Sequence, residues 1–131
     1  MPLAAHEPPL KERIVNFMRA ASIEITPSEE KHLPALRAWL PAECAIFVSH
    51  VPSATLAQVV KTALAVQAAG FRATPHLVAR RINYPETLRT ALSELVVHGV
   101  EQVLLVAGDT EHAGGEYEST LDVLEIGRAH V

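Results

Sequence analysis

The sequence lacks several features that define common functional classes. It has one cysteine, Cys44, so an internal disulfide is excluded, and the apolar run 45–48 beside it favours a reduced, buried thiol. Acidic residues outnumber lysine and arginine, 15 to 11, and the net charge of −4 offers no basic surface for a phosphate backbone. We therefore expect no nucleic-acid partner.

Long apolar runs are also missing. No uninterrupted apolar stretch approaches the roughly 20 residues that a membrane-spanning helix needs. The N-terminus has no apolar signal core after a basic patch. We expect no membrane partner and a cytoplasmic location. No metal site is expected, because five histidines are scattered without ligand spacing: His6, His32, His50, His98 and His112.

The chain does contain enough apolar residues, 49%, for the core of one domain. Its strongest pattern is the run 103–108, which is apolar without polar alternation and is followed by Asp109. Such a run predicts a parallel strand buried on both faces. Ligands of parallel α/β folds bind at the carboxyl ends of strands, so Asp109 is a candidate functional residue. The alternative is that Asp109 only caps the following turn.

Strand and helix patterns alternate along the rest of the chain. Predicted strands are 21–26, 44–49, 72–78 and 103–108; predicted helices are 10–21, 28–40, 55–69, one from Pro85 to just before Gly99, and one starting at Ser119. The pattern recurs at roughly 25 to 30 residues, which is long enough for parallel crossovers. Pro75 predicts a local irregularity in its strand. Ser28 is the candidate N-cap of the helix 28–40. The helix from Pro85 is expected to face the core with Leu88, Leu92, Leu95 and Val96. The sequence therefore predicts a βα-repeat, α/β architecture.

The two ends of the chain differ from this pattern. Residues 1–9 contain three prolines and no periodicity, which predicts a flexible N-terminal arm before a domain at 10–125. Residues 126–131 interrupt the apolar pattern of the last helix and resemble the peptide that a common sequencing adaptor encodes in one frame. We expect this tail to be non-native and the natural frame to continue past Glu125. A natural tail is the alternative.

Glu24 is unusual because it lies inside a predicted strand. Alternation places Ile23 and Ile25 on one face and Glu24 on the other. If this is the first strand of a barrel, Glu24 points into the interior, where a charge is costly unless it is paired or used. The alternative is a solvated face.

Three segments, taken in order, resemble the methylenetetrahydrofolate reductase family. They are S-I-E-I-T-P at 22–27, T-P-H-L-V-A-R at 74–80 and V-L-L-V-A-G-D at 103–109. The resemblance covers nearly all of 21–125 and implies a (β/α)8 TIM barrel. Because such a barrel typically has about 250 residues, this chain would hold only the first three to four βα units.

The resemblance also implies roles for single residues. Glu24 matches the family glutamate that donates a proton to open the methylene bridge of the folate. His76 matches a histidine that lies against the flavin, although a structural histidine satisfied by the backbone is the alternative. Gly108 and Asp109 match a pair beside the flavin, of which Asp109 also helps to bind folate.

The sequence departs from the family pattern in three places. Residues 25–27 read I-T-P where many members have two phenylalanines before proline, which implies a divergent branch. Thr110 stands where a proline often follows, and the loop 50–53 does not preserve a flavin-contacting threonine. We carry no role over to that loop.

The implied activity is reduction of 5,10-methylenetetrahydrofolate to 5-methyltetrahydrofolate by FAD and NAD(P)H, in one-carbon metabolism and methionine biosynthesis. A carboxyl group in a dry barrel has the raised proton affinity that an acid needs, which suits Glu24. A carboxylate such as Asp109 can bind the donor edge of a pterin by paired hydrogen bonds.

Alternatives to this activity are a non-catalytic barrel subunit or partner protein, and a related enzyme acting on another folate or pterin adduct. The choice between NADH and NADPH, and whether the full-length protein is a homo-oligomer, stay open. We expect the fragment to be inactive alone.

Overall fold

The computed structural model describes residues 6–128. Residues 1–5 of the expected arm and 129–131 of the expected tail lie outside the described residues. Helices and strands alternate: α1 (Leu10–Arg19), β1 (Ile23–Ile25), a first 3-10 helix (Pro27–His32), α2 (Leu33–Leu36), β2 (Ala45–Val48), α3 (Leu56–Ala68), β3 (Arg72–Val78), a second 3-10 helix (Ala79–Arg81), α4 (Pro85–Val97), β4 (Leu104–Val106) and α5 (Thr120–Arg128).

The four strands form one parallel sheet whose spatial order, β1-β2-β3-β4, is the order of the chain. Helical segments lie in every connection between consecutive strands, because a parallel pair cannot be joined by a tight hairpin. The predicted α/β class with repeating βα units is confirmed.

The strand register separates two faces of this sheet. Glu24 pairs with Phe47, and Phe47 pairs with Thr74, so these side chains share one face. The other face packs against the helices: its strand residues belong to the same buried cluster as helix residues, and the cluster includes Ile25, Ile46, Val48, Leu77, Val59, Val66 and Leu88. The expected assignment of Ile25 and Glu24 to opposite faces is therefore confirmed.

β3 has the bounds expected from the sequence, and Pro75 marks a change within it. Pairing with β2 runs from Arg72 to Pro75, whereas pairing with β4 starts at His76. Pro75 has no backbone N–H to donate to a neighbouring strand. It is tolerated here because it lies where β3 stops pairing with β2 and starts pairing with β4.

The expectation that β4 is buried on both faces is wrong. The strand spans only Leu104–Val106, and Val103 and Leu104 are 37% and 40% exposed. The reason is that β4 is the last strand of the described sheet, and the face bearing Leu104 has no layer packed over it. A continuous apolar run indicates that a strand can be buried on both faces, but the layers that cover those faces come from other parts of the molecule.

The helix predicted at 28–40 is replaced by two shorter helical segments, the first of which begins one residue earlier. The first 3-10 helix starts at Pro27, and its cap is Thr26 rather than Ser28, because the Glu29 carboxylate accepts a hydrogen bond from the Thr26 backbone N–H at 2.7 Å. This hydrogen bond lowers the pKa of Glu29. Pro34 then follows at the start of α2, which ends at Leu36. Prolines suit first turns, so two short helical segments form in place of one.

Two other helix predictions need correction. Val96 was expected on the core face of α4, but it is 72% exposed, while Ala91 is buried beside Leu88 and Leu95. The inward face therefore follows the spacing 88, 91, 95, which leaves Val96 outside. The expected interruption after Glu125 is also wrong: α5 continues to Arg128, and Ile126 packs against the core at i+3 from Val123.

The N-terminal helix α1 forms as expected but contributes nothing to the core. None of its residues is buried, and Phe17 is 79% exposed. Within the described residues, no helix combines the length and apolarity that crossing a membrane would require. Cys44 is buried as predicted, and burial raises the pKa of its thiol.

Candidate functional site

The candidate residues lie toward one end of the sheet, where β1, β3 and β4 finish. Glu24 is the middle residue of β1, His76 is near the end of β3, and Asp109 follows β4. His76, Gly108 and Asp109 line one open pocket of about 430 Å³, and Glu24 lies at 3.8 Å from His76 without lining that pocket. The parallel direction of the strands brings these distant positions together.

Glu24 contacts two polar side chains. The Ser49 hydroxyl, just after β2, donates a hydrogen bond to Glu24 Oε1, and His76 Nε2 lies 3.8 Å from Glu24 Oε2. The glutamate side chain is nevertheless 60% exposed. The expected dry surroundings of Glu24 are therefore absent within the described residues, because its face of the sheet is uncovered.

His76 is nearly enclosed and incompletely satisfied. Its side chain is 15% exposed, and Phe47 packs against it edge to face with ring centroids 5.8 Å apart. Nε2 is buried, and no described residue offers it a hydrogen-bond partner. This geometry does not support a histidine whose Nε2 is satisfied by the backbone. The Nε2 atom is left with Glu24 as its ionisable neighbour.

Gly108 is required by local packing. Its φ of +109° is rarely adopted by other residues, and an added Cβ would lie 2.8 Å from Val78 Cγ1. The clash would be with β3, so the glycine allows the chain after β4 to pass close to the end of β3. That path places Asp109 next to the turn after β3.

Asp109 binds a partner that the sequence analysis did not identify. Its Oδ1 accepts a hydrogen bond from Arg81 Nη2 at 2.8 Å. The aspartate side chain is 84% exposed, whereas the arginine side chain is 15% exposed. Asp109 therefore acts within an ion pair, which does not support the alternative that it only caps the following turn.

His50 is a second residue that the sequence analysis left without a role. It is 4% exposed, and its backbone carbonyl accepts a hydrogen bond from Arg81 Nη1. Burial, reinforced by the charge of Arg81, lowers the pKa of His50 to about 4. The imidazole is thus neutral at pH 7, and its buried Nδ1 has no described hydrogen-bond partner.

Ser49, His50 and Arg81 could have been found by the rule that selected Asp109. Ser49 and His50 directly follow β2, and Arg81 ends the turn after β3. Polar residues just past the carboxyl ends of parallel strands are candidates for a site.

Arg80 holds the loop that carries Asp109. Its Nη1 donates to the Thr110 carbonyl at 3.0 Å, and its Nε donates to the Glu118 carbonyl at 3.0 Å. The Gly114 N–H in turn donates to the Arg80 carbonyl at 2.8 Å. The loop after β4 is therefore tied to the turn after β3 at several points.

Asp109 supplies an exposed carboxylate at the pocket. Within residues 6–128, no three His, Cys, Asp or Glu side chains converge as metal ligands would. The Asp109 carboxylate can accept hydrogen bonds from N–H groups of a bound molecule. A larger groove of about 570 Å³ lies between α3 and α4, on the helical side of the sheet away from these residues.

The chain was compared with protein-family models, and no family model matches it.

Proposed function

We propose that this chain is the N-terminal part of a (β/α)8 barrel and contains its first three to four βα units. The support is the strand order, which follows the chain without reversal, together with packing of the helices against one face. A doubly wound sheet reverses its strand order and covers both faces. A barrel keeps one face of its strands for the interior, and here that face carries Glu24 and His76.

The activity that this arrangement supports best is that of a methylenetetrahydrofolate reductase. The enzyme would reduce 5,10-methylenetetrahydrofolate to 5-methyltetrahydrofolate with FAD, using NAD(P)H as reductant. The observation that carries the proposal is the 3.8 Å approach of Glu24 and His76, which come from separate segments of the family resemblance. Asp109, from the third segment, shares a pocket with His76.

Glu24 is the proton donor in this proposal. Opening the methylene bridge requires protonation of a poor leaving nitrogen, and a positioned carboxylic acid can supply that proton. Ser49, just after the neighbouring strand β2, holds Glu24 Oε1, and His76 of β3 lies 3.8 Å from Oε2. The rest of the proposed barrel would cover this face and exclude water from Glu24.

Asp109 and His76 have binding roles. The Asp109 carboxylate is exposed at the pocket and can accept hydrogen bonds from the N–H groups along one edge of a pterin. His76 and the backbone at Gly108 would hold the flavin. When bound, FAD supplies the hydride that it receives from the nicotinamide cofactor.

The test uses the protein encoded by the natural frame beyond Glu125. Sequencing the source DNA across the codons for Glu125 and Ile126, without an adaptor of that type, establishes that frame. We expect the longer protein to bind flavin and to oxidise NAD(P)H only when the folate is supplied. Failure to bind any flavin contradicts the proposal. The 131-residue chain alone should be inactive, because its sheet has open edges.

A further inference from the structure

Arg81 occupies an unusual place for a charged side chain. It is the last residue of the second 3-10 helix, and its side chain is 15% exposed, against 84% for the aspartate that it binds. A buried guanidinium is costly unless it is paired and hydrogen-bonded. The contacts of Arg81 should therefore be specific.

Those contacts join three strand ends. Nη1 donates to the carbonyl of His50 after β2, and Nη2 donates at 2.8 Å to Oδ1 of Asp109 after β4, while Arg81 itself follows β3. The guanidinium is a planar fork whose donors point in fixed directions. Anchoring of Nη1 on the His50 carbonyl therefore sets the direction from which Nη2 meets Asp109.

The two hydrogen-bond partners of Arg81 differ in their exposure to solvent. The His50 carbonyl belongs to a residue that is 4% exposed, so it forms a buried anchor. Asp109 is exposed, and an exposed aspartate ordinarily samples several rotamers. With Oδ1 held by Arg81, the second carboxylate oxygen takes a restricted position at the pocket.

We infer that Arg81 is a positioning residue: it fixes Asp109 in one orientation at the pocket and thereby sets the affinity for a ligand that presents N–H donors to that carboxylate. The ligand class rests on the proposed function, in which the donor edge belongs to a pterin. The orienting role itself rests on the contacts of Arg81 alone.

The first measurement uses NMR on the 131-residue chain. Scalar couplings about χ1 of Asp109 should indicate one rotamer in the parent chain and averaging in Arg81→Met. Arg81→Lys should give an intermediate result, because one ammonium cannot reproduce the fork. Arg89→Met is the matched control, since Arg89 forms a similar ion pair with Glu86, 2.7 Å long, on α4. It should leave Asp109 unchanged.

The second measurement is titration of folate, the probe for the pterin edge, against the same substitutions made in the longer protein. We expect Arg81→Met to weaken folate binding about tenfold, the size of one charge-assisted hydrogen bond. In an Asp109→Ala background, Arg81→Met should cause no further loss, because the arginine acts through the aspartate. Arg89→Met should bind as the parent chain does.

The outcomes separate the two claims. A single Asp109 rotamer in Arg81→Met and Arg81→Lys, or averaging already in the parent chain, overturns the positioning role. A further loss of binding in the Asp109→Ala background also overturns it, since Arg81 would then contact the ligand directly. A fixed Asp109, together with a longer protein that does not bind folate, supports the positioning role and counts against the proposed pterin ligand.

Discussion

The carboxylate of Glu24 and the imidazole of His76 lie 3.8 Å apart although β1 and β3 are not neighbours in the sheet. The two side chains meet across β2. Phe47, in β2, packs against the His76 ring, and Ser49, just after β2, donates a hydrogen bond to Glu24. The second strand thus supports a pair whose members come from the strands on either side.

Glu24→Gln tests the acid role in the longer protein. The amide keeps the size of the side chain and removes the proton that the carboxyl group delivers, so turnover should fall by about 10²- to 10⁴-fold. Flavin binding should be retained. The measurement is folate-dependent oxidation of NAD(P)H, compared with the exposed control Glu101→Gln. Unchanged turnover contradicts the acid role of Glu24.

His76→Ala tests the cofactor contact. Removing the ring takes away the buried Nε2 and the surface that packs against Phe47, so flavin should bind about tenfold more weakly to the longer protein. Quenching of flavin fluorescence measures the affinity. His98→Ala, on an exposed helix end, is the control. Equal affinity in both variants argues against contact between His76 and the flavin.

Gly108→Ala and Gly70→Ala form a matched pair for stability. Both glycines have positive φ, +109° and +92°, but an added Cβ meets Val78 Cγ1 at 2.8 Å only at Gly108 and has nothing within 4 Å at Gly70. Gly70→Ala should cost about 1 to 2 kcal/mol of unfolding free energy from backbone strain. Gly108→Ala should cost about 1 to 3 kcal/mol more from overpacking. Urea unfolding measures both, and equal costs would show that Val78 yields without penalty.

We expect the unfolding free energy of the chain to depend on pH through His50. Its pKa is lowered in the folded chain from 6.5 to about 4, so between these values the unfolded chain binds a proton that the folded chain excludes. The unfolding free energy should therefore decrease as the pH falls through this window, by up to about 1.4 kcal/mol per pH unit from this residue.

The check is urea unfolding of His50→Gln across the same pH range. The variant has no imidazole to titrate, so its stability should change less between pH 6.5 and about 4 than that of the parent chain. His112→Gln, at an exposed position, should follow the parent. Parallel curves for the parent and His50→Gln would refute the assignment of the pH dependence to this residue.

Local signals predicted much of the fold. β3 forms at Arg72–Val78 as expected, α4 starts at Pro85, and α3 ends just before Gly70, whose positive φ suits a helix stop. These features depend on the conformational preferences of a few neighbouring residues. The predictions were wrong where burial depended on packing against a distant part of the chain, as with the exposed Leu104 of β4 and the exposed Val96 of α4.

The residues of the candidate site also differ in whether the sequence alone reveals them. Glu24 and Asp109 could be selected from the sequence because a polar residue in or just past an apolar strand is visible in the pattern itself, whereas His76 was selected only by the family resemblance. Arg81 followed a strand too, but nothing in its neighbourhood indicates that its fork spans the His50 carbonyl and the Asp109 carboxylate. Those partners are 31 and 28 residues away in the chain.

By itself the sequence determined the alternation of strands and helices, the parallel α/β class and the two faces of β1, since these follow from apolar periodicity and turn residues. Only the tertiary structure decided that Glu24 is exposed yet within 3.8 Å of His76, and that Asp109 is held by a nearly buried arginine. The physical reason is that burial, ion pairing and hydrogen-bond geometry depend on which strand ends lie side by side. That adjacency is a property of the sheet and not of any one segment.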